Sequence, residues 1–339
     1  MVTKGTRKDA ARGQRQSCGE EKPFPCRALT HSRRSLVSVK PRPCSDTLDV
    51  SMSSGNVSLN DVLDWYSEYL RNKHPKNADR FNQTRQLDYE AAVAEAITFN
   101  LLTYMRVEPE INDQVGTGGA DFICCASSNP FSKRLPQNQF VVEATSLNPD
   151  AVTKRSRIPK EIPQGISGGA IGLLTQNICN KAKDKKKQLE GYPMPRVLTI
   201  VSSHAGASVL INAATAKWAL ISEEHFQHEI GSSEPDPNWY TDLKQSVFME
   251  RGPDGSILPR RKEISAILLV AVDGGSSEVF GILHPEPEYS LNIAFLPNLP
   301  FVHIANWPVS DGRMLVQWVI ADPAGLNVRH YQIARKRFA

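Results

Sequence analysis

No stretch of this chain is apolar for long enough to cross a bilayer. The longest unbroken run, AILLVAV at 266–272, falls far short of the roughly 20 residues a spanning helix requires. The first residues have no apolar h-region and no small-residue cleavage pattern, so they do not read as a secretory signal. Six cysteines occur without a CxxC pair. Cys18, Cys26 and Cys44 follow no usual zinc-ligand spacing, while Cys124, Cys125 and Cys179 sit in apolar contexts and read as small core residues of a reducing compartment. The glycine-rich GTGGAD at 116–121 lacks the Gly-Lys-Ser/Thr ending of a phosphate-cradling loop. No G-x-S-x-G elbow accompanies His204 after TIVSS, and His284 in LHPEP likewise reads as structural. There is no internal repeat. These absences predict a cytoplasmic protein without a membrane partner.

What is present is ordinary for a globular chain of 339 residues: 40% hydrophobic and 22% charged, enough for a sizeable core. The net charge of +4 is unevenly placed, because residues 1–55 hold 11 Lys and Arg against 5 Asp and Glu, leaving 29 against 31 elsewhere. That segment is rich in Arg, Lys, Ser and Pro and has no apolar periodicity, so it is expected to be a disordered basic arm. Met52, just before the first convincing helix, is a second candidate start, and residues 1–52 are expected to be dispensable for folding. A role for the arm in touching nucleic acid is the competing reading. The remainder, 56–339, reads as a single α/β domain with a core at about 85–205, a helical and irregular insertion at about 213–262, and C-terminal strands and tail at 263–339.

Within it, Ser58 and Asp61 form a capping-box-like start for a helix over 58–72. Leu87, Ala91, Ala94, Ile97, Leu101 and Tyr104 repeat at three and four residues and predict one longer helix over about 79–105, carrying Glu90 and Glu95 off the centre of its apolar stripe. A turn-rich link at 107–119 follows, then a hairpin of ADFICCA and QFVVEAT, a helix over about 170–190 and the strand RVLTIVSS. ISAILLVAV and VFGILHPEP read as two more strands, and the tail from 290 carries no clear pattern. This order predicts a mixed sheet flanked by helices.

Two carboxylates interrupt this apolar pattern. Asp121 heads one strand after a glycine turn, and Glu143 sits inside the next, in FVVEATS. A buried, unpaired carboxylate is costly or takes up a proton. Asp121 can be a turn residue and Glu143 an edge-strand solubility residue. A hard divalent cation shared between them is the alternative, since Mg²⁺ takes oxygen ligands and is commonly held by one or two carboxylates.

GGADF, then VVEAT, then a lysine-rich helix closing on KKKQL resembles the PD-(D/E)XK, restriction-endonuclease-like nuclease superfamily over about 85–205. The resemblance implies a restriction-endonuclease-like mixed sheet flanked by helices and a metal-dependent endonuclease. Asp121 and Glu143 would hold Mg²⁺ or Mn²⁺, with the carbonyl of Ala144 an extra ligand and Glu95, or less favourably Glu90, supplementing them. Nucleic acid, expected to be DNA, would be the partner, with a homodimer admissible. Lys154, Arg155, Arg157 and Lys160 would contact phosphates.

One position departs from the family pattern. The lysine expected two residues after Glu143 is Thr145. Some members carry that lysine on the following helix, often with a glutamine one turn later, a form matched by Lys185 and Gln188. The helical wheel independently places Lys185 inward. With Leu174 at 0°, Ile178, Ala182 and Leu189 fall at about 40°, 80° and 60°, and Lys185 and Lys181 at about 20° and −20°. Lys183, Lys186 and Lys187 point away and read as a solvated face. The competing reading is a nuclease-fold module whose chemistry was lost at Thr145 and which binds nucleic acid or a protein.

Overall fold

The computed structural model describes residues 58–112, 119–126, 138–147, 168–204, 210–222, 224–227, 238–241, 243–273, 276–310, 313–322 and 328–330. All belong to the compact unit Thr47–Ala339. The N-terminal arm, Met52, and the basic residues Lys154, Arg155, Arg157 and Lys160 lie outside the described residues.

Helix α1 (Leu59–Lys73) starts at the expected capping box, in which the Ser58 hydroxyl accepts the Asp61 N–H and the Asp61 carboxylate accepts the Ser58 N–H at 2.8 Å. The single long helix expected next is two: α2 (Pro75–Leu87) and α3 (Tyr89–Tyr104). Asp88 separates them, with non-helical backbone at φ −142°, ψ 81° and a carboxylate that accepts the Ala91 N–H at 3.1 Å. An Asp favours this N-cap role over a helix interior because it satisfies an otherwise orphaned donor. The predicted stripe holds in its middle, where Ala94, Ile97 and Leu101 are buried, but its ends are not core: Leu87 and Tyr104 are 80% and 60% exposed. Helix α3 is instead buried on several sides, through Ala92, Val93, Ala96, Ile97 and Phe99, between α1, α2 and the sheet.

The strands are β1 (Glu108–Ile111), β2 (Phe122–Cys125), β3 (Gln139–Ser146), β4 (Arg196–Ser202), β5 (Glu224–Gln227), β6 (Asn238–Thr241), β7 (Met249–Arg251), β8 (Ile257–Pro259), β9 (Ala266–Asp273), β10 (Ser276–Leu283), β11 (Phe301–Ile304), β12 (Val316–Ala321) and β13 (Val328–His330). Nine form one mixed sheet in the order β1-β2-β3-β4-β9-β10-β11-β12-β13. Its centre, β3, β4 and β9, is parallel and buried on both faces, which is why these strands read as near-continuous apolar runs.

Three expectations change. The link at 107–119 contains β1, where Pro109 is tolerated because the strand lies at the sheet edge. The unassigned tail supplies β11, β12 and β13. The segment read as a helical and irregular insertion has its helix, α5 (Ala213–Ile221), but also forms two small hairpins, β5 with β6 and β7 with β8. Helix α5 belongs to the core layer, since Ala216, Ala219, Leu220 and Ile221 share one apolar cluster with Leu174, Ile178, Ala182 and Leu189 of α4 (Gly168–Leu189).

The sheet thus carries α1–α3 on one face and α4 and α5 on the other. Each fully buried Leu or Ile on the facing stripes contributes about 1.5–3 kcal/mol of burial free energy. Along β3 the alternation sends Phe140 and Val142 toward α3 and Val141 toward α4, which fixes the direction of Glu143. Among the described residues no helix is long and apolar enough to cross a membrane.

Candidate functional site

The antiparallel register of β2 and β3 pairs Phe122 with Val142 and Ile123 with Val141, so Asp121 stands opposite Glu143. Glu143 lies midway along β3, level with Leu198 of β4 and Ile267 of β9. Asp121 Oδ2 accepts the Ala144 N–H at 2.8 Å, so its carboxylate extends the β2 ladder and sits near the plane of the sheet. It is the Ala144 N–H, not its carbonyl, that reaches Asp121. A clamp fixes the turn before it: Asn112 Nδ2 donates to the Ala120 carbonyl at 2.8 Å and to the Tyr192 hydroxyl at 2.6 Å, and the Ala120 N–H donates to the same hydroxyl at 3.1 Å.

Glu143 follows Val141 on the α4 face, with 1% of its surface exposed. Lys185 Nζ donates to its Oε1 at 2.7 Å. The wheel therefore placed Lys185 correctly, because Leu174, Ile178, Ala182 and Leu189 all turn into the core. Oε2 of Glu143 is fully buried and receives no donor among the described residues. The Asp121 carboxyl lies within hydrogen-bonding reach of Glu143, so a shared proton or a cation satisfies the pair. Thr145, two residues on, is buried on the same face.

The other expected groups are spread more unevenly. Glu95, on α3, lies close enough to Asp121 to feel its charge; its Oε1 accepts the Tyr66 hydroxyl at 2.9 Å and lies 3.7 Å from Arg80. Glu90 is drawn elsewhere and accepts the Ser203 hydroxyl at 2.6 Å. Lys181 is half-buried near Lys185, and its acidic neighbours are Asp184 and Asp88. Gln188 is half-buried, one turn beyond Lys185. Lys183 and Lys187 are exposed as expected, but Lys186 is half-buried and lies 3.7 Å from Glu263.

Electrostatics follow from burial. Desolvation, reinforced by Asp121, pushes Glu143 up to about 8 against the pull of Lys185. Asp121 is raised by burial against the Ala144 N–H and Lys185. Burial and then Asp121 push Glu95 up to about 7, opposed by Arg80 and Tyr66. Asp121 and Glu143 titrate as a pair that holds one proton near neutral pH, and Lys185 leaves the local charge close to zero. Loss of that proton would expose two adjoining anionic oxygens, a donor set suited to a hard divalent cation. Among the described residues no group of three or more His, Cys, Asp and Glu side chains forms a ready cage, but Mg²⁺ needs only one or two carboxylates because it retains waters. The orphaned Oε2 is the observation that fits such an ion.

Sequence reading missed Tyr66, Arg80, Asn112 and Tyr192. None lies in a motif, and each reaches the site through tertiary packing alone.

His284 is structural as expected. It is buried and pushed down to about 4 by desolvation, and its ring bridges the Arg260 carbonyl and the Glu286 N–H at 2.9 Å each. Comparison of the chain with family models, curated proteins and solved structures gives no match in any of the three.

Proposed function

We propose that this chain is a metal-dependent nuclease, with a restriction-endonuclease-like core, that hydrolyses phosphodiester bonds of DNA. The observation that carries the reading is the contact of Lys185 Nζ with Glu143 Oε1 at 2.7 Å, beside Asp121 in a mixed sheet. A lysine displaced from a strand to the next helix has returned its ammonium to the second carboxylate, where Thr145 could not.

Asp121 and Glu143 are the residues that would hold Mg²⁺ or Mn²⁺, with Glu95 and the Ala144 carbonyl as supplementary oxygens. Such an ion, when bound, polarises a phosphate and lowers the pKa of a bound water. To hold the ion, Glu143 and Asp121 would release their shared proton to solvent. Lys185, freed from Glu143, supplies a donor to the attacking water or to the negative charge that develops on the phosphate. Gln188, one turn away, would orient the same water. Tyr66 fixes the rotamer of Glu95 through its hydroxyl. The basic residues Lys154, Arg155, Arg157 and Lys160 would supply sequence-independent, salt-sensitive affinity.

Thr145 favours one other reading, a module of the same fold that binds nucleic acid or a protein without cutting. Lys185→Met separates the two when compared with Lys183→Met on the exposed side of α4. A nuclease loses roughly 10²-fold or more in cleavage rate with Lys185→Met, the scale of one lost transition-state donor. It keeps its metal affinity or gains some, because the competing ammonium is gone, and Lys183→Met keeps its rate constant. Salt-sensitive DNA binding without cleavage in the unsubstituted protein would establish the module instead.

A further inference from the structure

Arg80 lies outside every motif of the sequence, on α2, ahead of the nuclease-like core at 85–205. Its side chain is 42% exposed, and its one ion pair among the described residues is with Glu95 Oε1 at 3.7 Å, longer than a hydrogen bond. Glu95 Oε1 already accepts the Tyr66 hydroxyl at 2.9 Å, so Glu95 does not need Arg80 to hold its rotamer. The side chain makes no hydrogen bond to any described residue, which leaves the five N–H donors of a planar fork unspent at the rim of a carboxylate cluster. Its charge also reaches past Glu95, since Asp121 and Tyr66 both respond to it.

A structural arginine is normally committed. Arg196, by contrast, is 4% exposed, donates to the Tyr192 carbonyl at 2.9 Å and to Glu288 at 2.8 Å, and stacks over the Tyr289 ring at 5.0 Å. Arg80 has the opposite character: it is reachable from solvent, weakly tied, and next to the only pair of carboxylates expected to meet a phosphate. An arginine fork matches two oxygens of a phosphate bidentately, and a lysine at the same place does not.

We propose that Arg80 is a substrate-binding residue that grips a backbone phosphate of the nucleic acid at the Asp121–Glu143 site, swinging away from Glu95 as it does so. The inference rests on the nuclease reading and extends the site to a residue ahead of the stretch that carries the family resemblance.

The test compares Arg80→Ala, Arg80→Lys and the exposed Arg71→Ala, with a short DNA duplex as probe. Binding is measured from 50 to 200 mM salt with Ca²⁺ present, and cleavage with Mg²⁺. Loss of one phosphate contact lowers the slope of log affinity against log salt by about 0.9, and Arg80→Ala should show that drop with at least a tenfold fall in kcat/KM. Arg80→Lys should recover the salt slope but less than half of the lost kcat/KM, while Arg71→Ala changes neither. A purely supporting role for Arg80 would shift thermal stability and leave the salt slope intact, and that result overturns the proposal. So does full recovery by Arg80→Lys of both quantities, because a point charge would then suffice. If the unsubstituted protein neither binds nor cuts the duplex, the nuclease reading itself fails, whereas binding and cleavage unaffected by Arg80→Ala defeat the Arg80 assignment alone.

Discussion

Replacing Glu95 by Gln should make the metal-free protein more stable, and by an amount that depends on pH. The side chain is almost wholly enclosed, 13% exposed, with Asp121 nearby, and burial pushes its carboxyl from 4.5 up to about 7. Below pH 4.5 both folded and unfolded chains hold the proton, so the parent and the variant are near equivalent. Between 4.5 and 7 the folded state keeps a proton that the unfolded state has lost, and stability falls as pH rises; above 7 the loss is complete. A rise from 4.5 to about 7, at ~1.4 kcal/mol per pH unit, amounts to about 3 kcal/mol. The substitution removes that dependence while keeping an acceptor for the Tyr66 hydroxyl. The ion pair it sacrifices, with a largely exposed Arg80 at 3.7 Å, is worth little. Urea unfolding in EDTA should therefore find Glu95→Gln about 2–3 kcal/mol more stable than the parent at pH 8, and equal to it near pH 4.5. Acid denaturation of other groups cancels in the difference. A difference that does not change with pH, or a parent that gains on the variant as pH rises, would mean that Glu95 is ionised and stabilised by Arg80, and the reasoning would be refuted.

Mn²⁺ affinity should rise with pH up to about 8 and binding should release a proton, because Glu143 is pushed up to about 8 and must ionise to act as a ligand; calorimetry in two buffers of different ionisation enthalpy reads the proton directly, and a pH-independent affinity counts against the shared proton. Tyr192→Phe removes a hydroxyl that serves both Asn112 and Ala120, so it should cost about 1–3 kcal/mol in stability and weaken Mn²⁺ binding by loosening the Asp121 turn; intact metal affinity would show that the clamp is not needed. Gly281→Ala places a methyl carbon 2.1 Å from Cδ1 of the buried Phe301 ring, in the middle of the sheet. It should destabilise by about 1–3 kcal/mol at unchanged denaturant slope, and a neutral result would mean that β10 and β11 can separate freely.

How much of this was legible in the sequence depended on whether the cause was local. Asp121 and Glu143 stood out because each breaks an apolar strand pattern, and strand alternation alone turns Glu143 toward α4. Lys185 was legible because four apolar residues define the buried face of its helix. The break at Asp88 was not, since a capping Asp and a helix-surface Asp look alike until the chain direction changes, and Leu87 was read as core in consequence. Edge strands escaped for a related reason. Pro109 disguises β1, and β13, exposed at all three of its positions, has no apolar face to announce it. Tyr66 and Arg80 reach Glu95 only because α1 and α2 pack against α3, a relation that no residue spacing encodes.

The central claim is that Asp121 and Glu143 form a metal-dependent phosphodiester-cleaving site. It is tested most directly by nicking of supercoiled plasmid with Mg²⁺ or Mn²⁺, comparing the parent protein with Glu143→Gln purified identically. The parent should nick the plasmid, EDTA should abolish the nicking, and Glu143→Gln should reduce it by roughly 10²-fold or more, since the variant keeps the fold but lacks one ligand charge. Equal nicking by parent and variant, or no nicking by the parent under any metal, would contradict the claim.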